Sequence, residues 1–449
     1  MSPPPAEENA LPCSAFNSLP EVHRSIALPV GSSGLRRAAA FFGPGYLVAV
    51  GYMDPGNWAT GLAGGSAYGY SLLWVVMLAN LMAMLLQVLS ARLGIATGQD
   101  LAQACRAHGS RRSAIAQWLL CELAICACDL AEVIGMAVAL ELLFGIPLAV
   151  GVVLTALDTF VLLWLQQKGF RRLEAFVLAL ILTILACLAG TLLLSSPDVH
   201  AVLGGLLPRR SSVAELPALL IAVGILGATV MPHNLYLHSA VVQTRRHALT
   251  ETGRREAIRY ATIDTTTALT LALLVNAAIL VTAASVFHTS GHRTVAELQD
   301  AYHLMTPLLG TTLGSLLFGV ALLASGQSST LTATLAGQVV MEGFVQWRLA
   351  PWKRRLLTRG VAMVPALAAT LFWGDSGTSG LLIGSQIVLS LQLPFALVPL
   401  VRLTGDRRLM GPFVNGRAMQ LAAWAIALVV VALNGLMLVK IGLSLLGAT

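Results

Sequence analysis

Gly51-Tyr52-Met53-Asp54-Pro55-Gly56-Asn57 lies inside an apolar run, residues 40–66, that otherwise has the length and composition of a membrane span. A carboxylate near the middle of a bilayer costs roughly 2.5–3.5 kcal/mol on insertion scales, so Asp54 is expected to hold something that offsets the cost. Pro55 has no N–H to donate and Gly56 has no side chain to support a helix. The backbone is therefore predicted to unwind here and to leave carbonyls near Gly51 without helical partners. Free carbonyls beside a carboxylate make a cation site. A second run of the same kind, Ala228-Thr229-Val230-Met231-Pro232-His233, lies far downstream, with a thioether and an imidazole beside the break at Pro232. Two broken helices at matching places in two halves of a chain point to the binding site of a secondary transporter.

The composition agrees. Of 449 residues, 56% are hydrophobic and only 11% charged, and the mean hydropathy is +0.77, a balance outside the range of soluble globular chains. Eleven runs are long enough to span: near 40–66, 71–96, 114–141, 146–166, 173–195, 216–241, 261–287, 312–341, 356–373, 378–401 and 418–446. With a cytoplasmic N-terminus, the six inside segments carry basic clusters such as Arg36-Arg37, Arg111-Arg112, Arg171-Arg172, Arg245-Arg246 and Arg407-Arg408. The outside loops carry only Arg209, Arg210 and Arg293. This asymmetry puts the N-terminus inside and the C-terminus outside. It also accounts for the net charge of +7 without nucleic acid, because the basic residues are spread over short loops and form no single face.

Residues 1–35 are polar and Pro-rich at first, with no apolar core near Met1, so they are read as a disordered cytoplasmic tail and not as a signal peptide. Residues 36–449 are read as a single membrane domain. Among the six cysteines, Cys126 and Cys128 are two apart and would point about 200° from one another on a helix, so they are read as small buried hydrophobes and not as a metal pair.

Spans one to five, about 40–195, and six to ten, about 216–401, form two blocks of similar length, each opening on its broken helix; 418–446 is an extra helix. Because five is odd, the second block enters the membrane from the opposite side, which makes an inverted repeat whose unwound segments meet at the midplane. The fold expected is an all-α integral membrane protein with helices one and six broken. The ligands pooled at the midplane would be the Asp54 carboxylate, the Asn57 amide oxygen, the Met231 sulfur and the carbonyls of Gly51 and Ala228. Oxygen-only sites suit Mg²⁺ and Ca²⁺, whereas a thioether favours Mn²⁺, Fe²⁺, Co²⁺ or Cd²⁺.

Asp54-Pro-Gly-Asn57 and Met231-Pro-His-Asn234, the latter followed by Leu-Tyr-Leu-His238, resemble the two signature motifs of the Nramp (natural resistance-associated macrophage protein) family, also called MntH, of divalent metal transporters. The resemblance continues through Asp129-Leu-Ala-Glu132, Gly326-Gln-Ser-Ser-Thr330 and Leu391-Gln-Leu-Pro-Phe395, and covers nearly all of the chain beyond the first 35 or so residues. It implies a LeuT-like fold of ten core helices plus one, and cotransport of Mn²⁺ or Fe²⁺ with protons. It also implies metal-ligand roles for Asp54, Asn57, Met231, the carbonyls of Gly51 and Ala228 and, in the outward-open state, Gln386. Gln327 and Asn234, which replace apolar residues of some bacterial members, resemble the eukaryote-like bacterial branch.

Span three carries a second constellation. Glu122, Asp129 and Glu132, at i, i+7 and i+10, fall within roughly 80° around a helix and must face a wet interior. They read either as a structural hydrogen-bond network or as a proton relay from the metal site, the usual role of intramembrane acid chains. Arg359 matches a family arginine by its spacing to Pro365 and is expected as the counter-charge of Glu122. Asp158 in span four belongs to no family motif; a local salt bridge, a place near a helix end, or contact with the proton route would each account for it. The resemblance casts His233 and His238 as pH-sensitive or structural residues and not as direct ligands.

The function expected is proton-coupled import of Mn²⁺ or Fe²⁺, with Cd²⁺ and Co²⁺ also carried, through the cell (inner or plasma) membrane by alternating access. The partners are metal, protons and the lipid bilayer; no cofactor or enzymatic activity is expected, and a monomer is the working assumption. A carrier of the same fold for another small substrate is the nearest alternative, but an anionic substrate group would be repelled by Asp54. An intramembrane metalloenzyme is the alternative from another class, and the His-Glu-x-x-His pattern of zinc hydrolases does not occur.

Overall fold

In the computed structural model, which describes residues 18–27, 34–158, 160, 164–165, 168–209, 213–372 and 377–445, Pro55 and Pro232 each open a helix, the place where a missing N–H costs nothing. The first half of the chain runs as α1 (Gly34–Phe41), α2 (Pro44–Ala49), α3 (Pro55–Tyr68), α4 (Leu73–Thr97), α5 (Leu101–His108), α6 (Arg111–Phe144), α7 (Leu148–Leu154), α8 (Phe170–Ser195) and α9 (Val199–Gly205). The second half runs as α10 (Leu216–Thr229), α11 (Pro232–Val241), α12 (Glu251–Ala283), α13 (Leu298–Leu309), α14 (Thr312–Val345), α15 (Pro351–Phe372), α16 (Thr378–Thr404), α17 (Arg407–Met410) and α18 (Arg417–Leu445). The broken first helix is thus α2 and α3, and the broken sixth helix is α10 and α11.

Among the described residues, nine helical stretches are long and apolar enough to cross a membrane, against the eleven runs expected. The difference has two sources. The first run is divided at its break, and its second arm passes through a 3₁₀ turn at Gly69–Leu72 into α4, giving one apolar stretch, Pro55–Thr97. The run at 146–166 is helical over Leu148–Leu157, too short to cross, and several of its remaining residues lie outside the described set.

α6 lies along α14, α4 along α12, and α10 along α16. Small residues let these backbones come close, as in membrane helix packing generally. Gly135 of α6 shows the need: a Cβ there would overlap the Pro55 ring, so any larger residue would push α6 away from the break. The outer surface is apolar, with Leu193, Phe372, Leu421 and Leu428 between 70% and 81% exposed. Hydrocarbon surroundings make that exposure cheap.

Part of the stretch expected to be a disordered tail is instead packed on the bundle. Leu19 is only 4% exposed, and β1 (Ile26–Ala27) pairs in parallel with β2 (Arg245–Arg246), just beyond α11. Its order comes from backbone pairing and a buried leucine, which polar composition does not announce. Residues 1–17 and 28–33 of that stretch lie outside the described set.

Candidate metal centre

The two breaks share one backbone device. After α2, a 3₁₀ turn at Val50–Met53 leads to Asp54 in extended conformation (φ −66°, ψ 166°), and α3 begins at Pro55. After α10, Val230 and Met231 are non-helical, Met231 again extended (φ −71°, ψ 120°), and α11 begins at Pro232. Gly51 stands four residues before Pro55 and Ala228 four residues before Pro232. The N–H that an α-helix would offer to either carbonyl does not exist. Neighbouring carbonyls in the first break are held by side chains: Asn276 Nδ2 donates to Tyr52 O at 2.9 Å, and Ser325 Oγ donates to Met53 O.

The side chains of the centre come from three helices, α3, α11 and α16. Asp54 caps α3, with one carboxylate oxygen accepting from Asn57 N at 2.8 Å, where the helix N-terminus favours negative charge. Its other oxygen, Oδ2, is buried and finds no hydrogen-bond partner among the described residues, and the same holds for Asn57 Oδ1 and Gln386 Oε1. Asp54, Met231 and Gln386 are completely buried and Asn57 nearly so. The Gln386 amide fills the place a Cβ on Gly56 would take, which puts α16 against the first turn of α3. Asn234 joins the breaks: its amide fills the place of a Cβ on Gly51, and its Nδ2 donates to Met231 Sδ at 3.6 Å. Five of the six residues expected as ligands are thereby linked by contacts, Asp54 to Asn57, Gln386 to Gly56 between those two in the chain, and Gly51 through Asn234 to Met231; Ala228 stands three residues before Met231 in the second break.

Sequence reasoning gave Asn234 no role, although its place three residues after Met231, one helical turn on, was a usable signal. Asn276 and Ser325 were also missed; isolated polar residues on long apolar helices, they carried no pattern that marked them. The Thr229 hydroxyl, beside Ala228, is buried and finds no partner among the described residues.

Of the acids on α6, Asp129 and Glu132 are completely buried. Glu132 accepts from Thr330 Oγ1 at 3.0 Å and from Arg359 Nη1 at 3.4 Å, and it is the charged neighbour of Asp54 on this helix. Glu122, one end of the stripe, is held instead by Arg354 at 2.8 and 2.9 Å and by Trp118 Nε1 at 3.0 Å. The expected pairing of Arg359 with Glu122 is therefore corrected. Arg354 and Arg359 are five residues apart on α15, about 140° around the helix and about 7.5 Å along it, so they meet different levels of α6. Arg359 also pairs with Asp158 and donates to Thr155 O at 3.3 Å, which makes Asp158 a salt-bridge partner that ties α7's end to α15.

The two histidines differ. His238 Nδ1 meets Gln87 Oε1 at 2.8 Å, and Gln87 Nε2 donates to the Tyr52 hydroxyl at 2.5 Å, so His238 belongs to a chain leading to the first break. Both ring nitrogens of His233 are buried and find no partner among the described residues, with Asp129 as its charged neighbour. Among the described residues, no three of His, Cys, Asp and Glu gather in a way that could hold a metal ion. The centre instead combines one carboxylate with neutral amide, thioether and carbonyl donors, a set suited to a divalent ion of intermediate softness.

Residues 45–440 match the family model described as natural resistance-associated macrophage protein-like. A divalent metal cation transporter MntH from a Nostoc species is 57% identical over 423 residues, 94% of this chain and 96% of that one. A protein of the same name from Xanthomonas campestris is 58% identical over 420 residues, 94% and 95% of the two chains. A crystal structure of the Eremococcus coleocola manganese transporter superposes with a TM-score of 0.86 at 42% identity, covering 93% of this chain and 90% of that one. Mhp1, a nucleobase-cation-symport-1 family transporter, shares the fold with a TM-score of 0.59 at 15% identity, over 88% of this chain and 92% of its own.

Proposed function

The chain belongs to the Nramp family of divalent metal cation transporters, and from that premise we propose that the centre between the two broken helices carries Mn²⁺ or Fe²⁺, with Co²⁺ and Cd²⁺ as further cargo, into the cell together with protons. It is a transporter with a LeuT-like, all-α membrane fold and not an enzyme. Asp54, Asn57, Met231, Gln386 and the carbonyls of Gly51 and Ala228 take the metal. The observation that carries this reading is the group of three buried oxygens, Asp54 Oδ2, Asn57 Oδ1 and Gln386 Oε1, that find no hydrogen-bond partner among the described residues. A buried acceptor left unpaired costs about 1–3 kcal/mol, and a bound cation removes that cost for all of them at once.

The protons take Asp54 and the acids of α6. A cation arriving at Asp54 favours the ionised carboxylate and displaces any proton there; Glu132 is the nearby charged acceptor, with Asp129, His233, Arg359 and Glu122 farther along. His238, hydrogen-bonded to Gln87, orders the first break. The N-terminal face is cytoplasmic: Arg24, Arg106, Arg171, Arg245 and Arg254, from four inside segments, all donate to backbone carbonyls at that one end of the bundle. One chain holds every residue of the centre, so a monomer suffices. Purified protein in proteoliposomes tests the reading: Mn²⁺ should enter along an inward proton gradient and acidify the lumen, with Fe²⁺ and Cd²⁺ competing and Ca²⁺ not. Uptake without luminal acidification would sink the proton coupling, and no uptake would sink the whole reading.

A further inference from the structure

The packed N-terminal segment reaches three different parts of the bundle within ten residues. Ser18 Oγ donates to Asp100 Oδ2 at 2.6 Å and accepts from Gln103 Nε2 at 3.3 Å, both at the start of α5. Leu19 N donates to Glu342 Oε2 at 2.9 Å, at the end of α14, and the Leu19 side chain is buried in the main core. Farther on, Arg24 N donates to Gln243 O at 2.9 Å and Arg24 Nη2 to His247 O at 2.9 Å, and β1 pairs with β2; these anchors lie beyond the end of α11.

These anchors surround the route from the metal centre to the N-terminal face. α11 starts at the second break and runs toward β2. Near that end Tyr236 of α11 packs edge-on against Phe344 of α14, ring centroids 5.5 Å apart, and Ser239 of α11 accepts from Leu101 N of α5 at 2.8 Å. An opening between α11, α14 and α5 on this face must pull the Ser18–Ala27 anchors apart, because they bond to all three groups of residues. Two anchors are charge-assisted, through Asp100 and Glu342, and such bonds are the stronger kind.

We propose that residues Ser18–Ala27 form a clasp that holds the cytoplasmic face closed and must release in each cycle before metal leaves the centre. The clasp rests on the assignment above of metal import and of this face as cytoplasmic. Its occupant is the chain's own segment, so it sets how much of the protein stands with the centre turned away from the cytoplasm. A segment that merely braced the fold would stay docked throughout the cycle.

The test is a reversible lock, Ser18→Cys with Gln103→Cys, since these two side chains meet. A short bis-methanethiosulfonate reagent, which spans the length left by the truncated glutamine, should join the pair through two reducible disulfides. Mn²⁺ binding measured by calorimetry should stay within threefold, while Mn²⁺ uptake into proteoliposomes should fall at least tenfold and return on adding reductant. Uptake by the cross-linked protein within twofold of the reduced form would overturn the clasp, as would failure of the pair to cross-link, which would show the segment undocked. Leu19→Asp, which loosens the clasp without a covalent bond, should raise the apparent KM for external Mn²⁺ threefold or more, because the fraction of protein able to bind from outside drops; an unchanged KM would also overturn it. If the unmodified protein and the reduced double variant take up no Mn²⁺ at all, it is the transport assignment that fails, and not the clasp.

Discussion

Asn234 donates to the sulfur of Met231 from one turn along the same helix, at 3.6 Å, while its amide occupies the space that a side chain on Gly51 would need. One residue therefore aims the thioether and spaces the two breaks. Met231→Ala removes the soft donor and keeps the oxygens. Mn²⁺ uptake should remain appreciable, Ca²⁺ should begin to compete, and Cd²⁺ affinity should fall most, on the order of 10–100-fold or about 1.4–2.7 kcal/mol. Calorimetry with Cd²⁺ and competition uptake with Ca²⁺ check this; unchanged values for both would make Met231 a packing residue.

Asp54→Asn removes the one formal charge proposed for the centre while preserving its shape. The electrostatic compensation for stripping water from a divalent ion is lost, and uptake should drop by about two orders of magnitude or more, a loss of at least about 2.7 kcal/mol in the bound state. The protein should still be made and should elute normally in detergent. Near-normal Mn²⁺ transport by this variant would remove Asp54 from the centre.

Asp129→Asn and Glu132→Gln separate the two cargoes. Neither is a proposed metal ligand, so Mn²⁺ affinity should change by less than about tenfold, about 1.4 kcal/mol. Proton entry per metal and the stimulation of uptake by external acid should fall steeply. Should both variants keep the parent's proton-to-metal ratio, the acids of α6 are a structural network only.

Asp158 shares Arg359 with Glu132, and all three are buried. Removing one acid from such a cluster leaves a buried guanidinium less well compensated, so Asp158→Asn should destabilise the protein by about 1–3 kcal/mol. The expected readout is a lowered melting temperature in detergent. Adding Arg359→Gln to Asp158→Asn should cost less than the sum of the two single changes, because the groups act on each other; additive losses would show that the pair is uncoupled.

Asp100, at the N-terminal face outside the spanning helices, is pushed up to about 6 by burial, against the opposing pull of the Ser18 hydroxyl and of backbone N–H groups. A carboxyl whose folded value lies above its unfolded one binds protons more tightly when folded. Its contribution to stability is complete below about pH 4 and is lost as pH rises through about 6, amounting to at most about 3 kcal/mol. His247, pushed down to about 4 by burial, acts in the other direction, contributing stability above about pH 6.5 that is lost on acidification. Asp100→Asn isolates the first effect: its melting temperature relative to the parent should rise between pH 4 and pH 6.5. A constant difference across that range would refute it.

The breaks were legible in the sequence because proline and glycine act locally. Pro55 and Pro232 dictate where α3 and α11 begin, whatever surrounds them, and a carboxylate in an apolar run stands out against its neighbours. Partners set by the register between helices were not legible. Hydropathy marks α15 as a span but gives no rotation or depth against α6, so nothing in the string showed that Arg354 reaches Glu122 while Arg359 reaches Glu132 and Asp158. The order of residues 18–27 was hidden for a related reason: Ser18, Leu19 and Arg24 find their partners between 82 and 323 residues away.

The single carboxylate of the centre has an electrical consequence. Asn57, Met231, Gln386 and two backbone carbonyls are neutral, so a divalent ion held with an ionised Asp54 would leave one net positive charge on the loaded centre, and the empty centre, with a proton back on Asp54, would be neutral. Moving one elementary charge across a membrane is worth about 2.3 kcal/mol per 100 mV. A cell interior held negative therefore pulls the loaded centre inward and leaves the return of the empty one unopposed, so the voltage does work on the loaded stroke and the metal flux should register as a current.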